Sequence, residues 1–79
     1  MFYVYILRSW KDGKKYVGHT NNIERRLNEH NRGECMATKN RKPFEVIYFE
    51  TAETKSIAVK KEDFFKSGKG REYINKILN

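Results

Sequence analysis

The sequence predicts an α+β domain: a three-stranded antiparallel sheet flanked by helices, in the order β-β-α-β-α-α. Three observations predict it. Two strand-like stretches rich in aromatic and β-branched residues, Phe2–Arg8 and Lys15–Gly18, are separated by an Asp12-Gly13 turn signal. A third, Glu45–Glu50, follows a stretch with helical spacing. From Thr54 to Leu78 apolar residues recur at helical intervals on either side of two glycines. At 79 residues the chain suits one small domain, residues 1–79.

Each element has its own reason. In the first stretch Phe2, Val4 and Ile6 alternate with Tyr3, Tyr5 and Leu7, so both faces are apolar or aromatic. Such a strand belongs in the middle of a sheet, covered on both sides. The turn at Ser9–Lys14 brings Lys15–Gly18 back to pair with Tyr3–Leu7. Trp10, at the hairpin end, is read as a packing lid rather than an exposed stacking platform. Gly18 lets the backbone turn or another group approach closely. Asn21 and Asn22 are N-cap candidates for a helix from Ile23 to about His30. On it Ile23 and Leu27 form an apolar pair, while Arg26 and His30 share another face. Gly33 marks the helix stop. Glu34 to Pro43 is a basic loop holding Lys39, Arg41 and Lys42. The third strand follows, with Val46 and Tyr48 on one face and Ile47 and Phe49 on the other. Thr54 caps a helix to about Ser67 whose apolar face is Ile57, Ala58, Phe64 and Phe65. Gly68 and Gly70 end it. A last helix runs from Gly70 to Leu78 with Tyr73, Ile74, Ile77 and Leu78 turned inward.

Composition narrows the function classes. Lys and Arg number 17 against 10 Asp and Glu, a formal net charge of +7. A basic small domain attracts polyanions, and nucleic acid is the commonest of these in a cytoplasm. Solubilising surface lysines are the plainer explanation. The single cysteine, Cys35, has no intrachain partner for a disulfide. With no signal peptide to be seen, the expected location is the cytoplasm. One Cys and two His lack the spacing of a zinc site. The apolar opening, Met1 to Arg8, is too short to cross a membrane.

Chemistry concentrates between Tyr16 and His30, where one strand–turn–helix unit carries a phenol, a guanidinium and an imidazole. Taken singly these residues have plain explanations. Tyr5 and Tyr16 suit a core edge with hydroxyls reaching water. Arg26 suits an ion pair with Glu29 or Glu62, His30 a helix C-terminus, and Glu62 a solvated helix face. His19 is a turn residue or a polar group at a site rim.

Taken in order they amount to more. Tyr3-Val4-Tyr5, Tyr16-Val17-Gly18 after a short hairpin, Arg26, His30, and Glu62 in a late helix form a set that resembles the GIY-YIG nuclease domain. The resemblance spans Phe2 to about Leu78. It is greatest to small stand-alone bacterial members; the same domain occurs in the excision-repair nuclease subunit. It implies a metal-dependent phosphodiesterase with DNA as substrate, RNA or branched and repair intermediates being alternatives. By position, Tyr5 and Tyr16 match the two motif tyrosines, Gly18 the second motif's glycine, Arg26 the helix arginine and His30 a histidine found in many members. Glu62 matches the acidic residue that holds a single divalent ion, Mg2+ or Mn2+. Tyr3 departs from the pattern, standing where the first motif usually has glycine. An asparagine found late in some members finds at best Asn75.

The implied roles are a general base at Tyr16, with Tyr5 or His30 as alternatives, and a phosphate clamp at Arg26. His19, Lys39, Arg41 and Lys42 are the expected nucleic-acid contacts. The competing readings are a non-catalytic nucleic-acid-binding module of the same fold and a scaffold protein with incidental charge. A protein partner supplying specificity is expected under the nuclease reading.

Overall fold

In the computed structural model, which describes residues 1–78, the central strand is β1 (Phe2–Ser9). It lies between β2 (Lys15–Thr20) and β3 (Phe44–Ala52), antiparallel to both, in the sheet order β2-β1-β3. The helices are α1 (Ile23–Asn31), α2 (Lys55–Lys66) and α3 (Gly68–Leu78). The predicted order and fold class are therefore those observed.

Alternation along β1 builds two cores. Val4 and Ile6 pack with Ala52, Ala58 of α2, Phe65 of α2 and Ile74 of α3. Tyr5 and Leu7 pack on the opposite face with Phe44, Tyr16, Val46 and Leu27 of α1. The sheet is thus clothed on both sides, as the two-faced apolar pattern of β1 requires. Val4, Tyr5, Ile6 and Leu7 are all buried.

Caps fix the helix starts. The Asn22 side chain accepts from Arg25 N–H at 3.0 Å, and Thr54 accepts from Ile57 N–H at 3.2 Å. Gly33, at φ +77°, supplies the left-handed residue that ends α1. The Asn31 side chain donates to the Phe44 carbonyl and accepts from its N–H at 2.7 Å, clamping the end of α1 to the start of β3.

Five expectations are corrected. The Lys15–Gly18 pairing extends to Thr20, opposite Tyr3. Register shifts between Ile6 and Leu7, which face Tyr48 and Val46, so Ile47 is an extra residue in β3. Because side chains alternate with a strict period of two, that bulge puts Val46 and Tyr48 on opposite faces. Trp10 is not a lid: it is 70% exposed. α3 begins at Gly68 and contains Gly70, where a Cβ would overlap the Phe64 carbonyl. Gly70 is therefore the point of close approach between α2 and α3, not a break. Finally Ile57, Phe64, Tyr73 and Ile77 are exposed, since only one narrow stripe of each short helix reaches the sheet.

Candidate active site

Tyr5 lies opposite Gly18 in the sheet. A Cβ on Gly18 would meet the Tyr5 hydroxyl at 2.5 Å and its Cζ at 2.7 Å. The phenol lies over a backbone that only glycine leaves clear. From there the Tyr5 hydroxyl shares a 3.0 Å hydrogen bond with His30 Nε2. His30 Nδ1 is bonded to the Thr38 hydroxyl at 2.7 Å. His30 and Thr38 have no exposed surface at all. The imidazole is further packed edge-on by the rings of Tyr5, Tyr16 and Phe44, at centroid distances of 5.9, 5.1 and 5.9 Å.

Arg26 stands one helical turn before His30 and binds Glu29 at 3.0 Å. Glu29, and beyond it Tyr5, raise the guanidinium's pKa, so its charge is permanent. Burial pushes the Tyr5 phenol up to about 12 against the opposing pull of Arg26. Burial, reinforced by the Arg26 charge, depresses His30 to about 4 although Glu29 works against it. At neutral pH this half of the site is a neutral imidazole and a neutral phenol beside one fixed cation.

Glu62 is presented from the other face of the sheet. Its Oε1 is 2.6 Å from His19 Nδ1 and its Oε2 accepts from Lys66 Nζ at 2.6 Å. Burial raises the Glu62 carboxyl, but Lys66 and then His19 outweigh it and hold it below the usual carboxylate range. The two halves meet at the β2 edge. Tyr16 is half-buried beside His30, yet lines an open groove of about 670 Å³ together with Lys66. Lys14, Lys15, Arg71 and Asn75 line the same groove.

The predicted residues thus fall into three groups. Tyr5, Tyr16, Arg26 and His30 form one cluster; Glu62 and His19 form a second, joined to Tyr16 through Lys66. Lys39, Arg41 and Lys42 lie apart on the segment between α1 and β3. Arg41 is committed there: its Nε donates to Asp12 at 2.9 Å and its guanidinium stacks 5.6 Å from the Phe44 ring centre. Two further residues bear on the site. Lys66 is detectable in principle as a Glu-to-Lys pair four apart on a helix. Thr38 had no local signal, because it reaches His30 from a segment without periodicity.

Among the described residues no cluster of three or more His, Cys, Asp or Glu side chains is placed to hold a metal ion. Magnesium keeps most of its water and binds through one or two carboxylates plus substrate phosphates. A single part-buried carboxylate, Glu62, fits an ion that arrives with phosphate and does not fit a resident ion in an all-protein cage. No helix among the described residues is long and apolar enough to cross a membrane.

Comparison with known proteins places the chain in a family. Residues 1–76 match the family model described as the GIY-YIG catalytic domain. The UPF0213 protein SSP2268 of Staphylococcus saprophyticus is 43% identical over 61 residues, covering 76% of this chain and 73% of that protein. The UPF0213 protein CPE1444 of Clostridium perfringens is 46% identical over 68 residues, covering 84% and 71%. The solution NMR structure of the UPF0213 protein BH0048 from Bacillus halodurans superposes with a TM-score of 0.58 at 32% identity, over 98% of this chain and 85% of that one. With a family model matched over nearly its whole length and relatives more than 40% identical over most of both chains, the chain belongs to the GIY-YIG catalytic-domain family of nucleases.

Proposed function

We propose that this domain hydrolyses phosphodiester bonds in DNA with the help of a divalent ion, magnesium or manganese, held by Glu62. The observation that carries the proposal is the meeting of the two half-sites at Tyr16. Tyr16 lines a cationic groove, has its ring packed edge-on against His30, and shares the groove with the lysine paired to Glu62. When bound, the ion supplies Lewis-acid stabilisation of the phosphoryl and leaving oxygens. Tyr16 is the general base, because it lines the groove and is half-exposed where Tyr5 is buried. Arg26, about a third exposed, offers its fork to the phosphate oxygens. Tyr5 and His30 are positioning residues: each is buried, and each is bonded to the other. Together with Thr38 they fix the ring against which Tyr16 packs. RNA and branched or repair intermediates are further substrates to be tested, and a partner protein is a source of specificity.

A second reading rests on Glu62 itself. Both of its oxygens already have protein partners, as in a purely structural carboxylate, and this favours a nucleic-acid-binding module without catalysis. Labelled single-stranded, duplex and branched DNA, and RNA, incubated with magnesium and either wild type or Glu62→Ala, separate the two. The nuclease reading expects cleavage by wild type, lost on chelation and abolished in the variant. Equal trace activity in both proteins means a contaminant. Salt-sensitive binding without cleavage by either moves the assignment to the binding module.

A further inference from the structure

We propose that the α3 side of the sheet carries a track for one unpaired nucleic-acid strand, running from Tyr16 along Lys66, Arg71, Lys15 and Lys14 to Trp10, whose indole stacks on a base. The proposal deepens the nuclease reading and rests on it, since it says which form of nucleic acid the candidate site receives.

The groove beside Tyr16 is lined by four cations and no carboxylate. Among the described residues, Lys14, Lys15 and Arg71 have no acidic partner within ion-pair distance. Their charge is therefore available to phosphates. Lys15 and Asn75 also line the next hollow along the sheet, with Arg8 and Glu45. Glu45 is no barrier there: Arg8 approaches one of its oxygens at 3.8 Å, and the other accepts from the Trp10 indole N–H. The path is thus continuous from the candidate site to the hairpin tip.

Trp10 is built to stay where it is. Its backbone N–H donates to the Pro43 carbonyl at 2.9 Å, while Glu45 holds the indole. The turn beneath it is bound at Ser9, at Asp12 through Lys14 N–H, and by Arg41. The ring is 70% exposed and fixed in direction, so stacking on it costs little ordering. An aromatic platform at the end of a cationic groove is the combination that binds unpaired strands: phosphates follow the charge and a base stacks on the ring. A duplex keeps its bases stacked on one another and offers no such face. The track therefore selects single-stranded segments, including those at flaps and branches.

Trp10 is the sole tryptophan, so its fluorescence reads the proposal directly. With chelator present to prevent cleavage, the full chain is titrated with oligothymidylate and with the same strand annealed to oligodeoxyadenylate. Expected is quenching by the single strand and little by the duplex. Trp10→Ala should weaken single-strand binding about tenfold or more, and Trp10→Phe should restore most of it. Equal quenching by both ligands, or single-strand binding without quenching, overturns the track. The nuclease reading is scored separately with magnesium. Cleavage without quenching removes the track alone, and quenching without cleavage removes the nuclease alone.

Discussion

His30 has no exposed surface, and both of its ring nitrogens are bonded within the protein. Burial first, and the Arg26 charge second, hold its folded pKa near 4, whereas in the unfolded chain it titrates near 6.5. Above the unfolded value both states carry it neutral, and its contribution to stability is complete. As pH falls from about 6.5 towards 4, only the unfolded state takes up the proton, so stability drops. Below the folded value the loss is complete. The slope follows from linkage, and its integral is at most about 3 kcal/mol. Urea midpoints measured from pH 7.5 to 4.5 should show this decline, and His30→Gln should be less stable throughout but flatter over that range. An equally steep profile in the variant would place the titrating group elsewhere. Tyr5, Tyr16, Gly18, Arg26 and His30 were singled out in the sequence by the resemblance to the GIY-YIG pattern, and strand pairing with one helical turn is what brings them together in the fold. Thr38 was not. It reaches His30 from a segment without regular periodicity, where no spacing rule says which side chain turns inward.

Among the elements, α2 and α3 are joined by Ser67 alone, and Gly70 is packed against the α2 backbone. Any side chain there would overlap main-chain atoms of Phe64 and Phe65, which have no rotamer with which to yield. Gly70→Ala is therefore expected to destabilise the protein by about 3 kcal/mol or more through overpacking, despite alanine's better helix propensity. Chemical denaturation beside the exposed control Lys69→Ala checks this. A variant as stable as the control would mean the two helices can move apart freely. This glycine misled the sequence reading because a glycine within a helical pattern signals a stop unless a close neighbour is known, and the neighbour here is tertiary. The β3 bulge misled it in a similar way. Strand existence follows from the β-branched and aromatic residues, but the phase beyond Ile47 depends on its pairing with β1.

At the scale of the molecule, the net charge of +7 is unevenly used. Arg32 and Arg41 are spent on ion pairs within the chain, while the groove beside Tyr16 keeps Lys14, Lys15 and Arg71 free of acidic partners among the described residues. Three unpaired cations following one strand predict a log–log salt slope of about −2 for single-strand binding. A fourfold rise in salt should then weaken it roughly twentyfold. Each of Lys14→Gln and Arg71→Gln should flatten the slope by about 0.7. Fluorescence anisotropy over a salt series measures it, and a slope near zero would favour the scaffold reading over any nucleic-acid partner. Charge totals announced a polyanion from the sequence. The groove itself did not emerge, because Lys66 and Arg71 come to it from two different helices, far from Lys14 and Lys15 in the sequence.

The Lys66–Glu62 pair also bears on how a strand arrives. An acid set bare at the mouth of a phosphate-binding groove would repel the very polymer it serves, and repulsion of that kind slows encounter. Here the carboxylate carries its own tethered counter-ion. To an incoming phosphate chain the rim therefore looks neutral to positive along its whole length, and the acid is held in reserve until something displaces an ammonium.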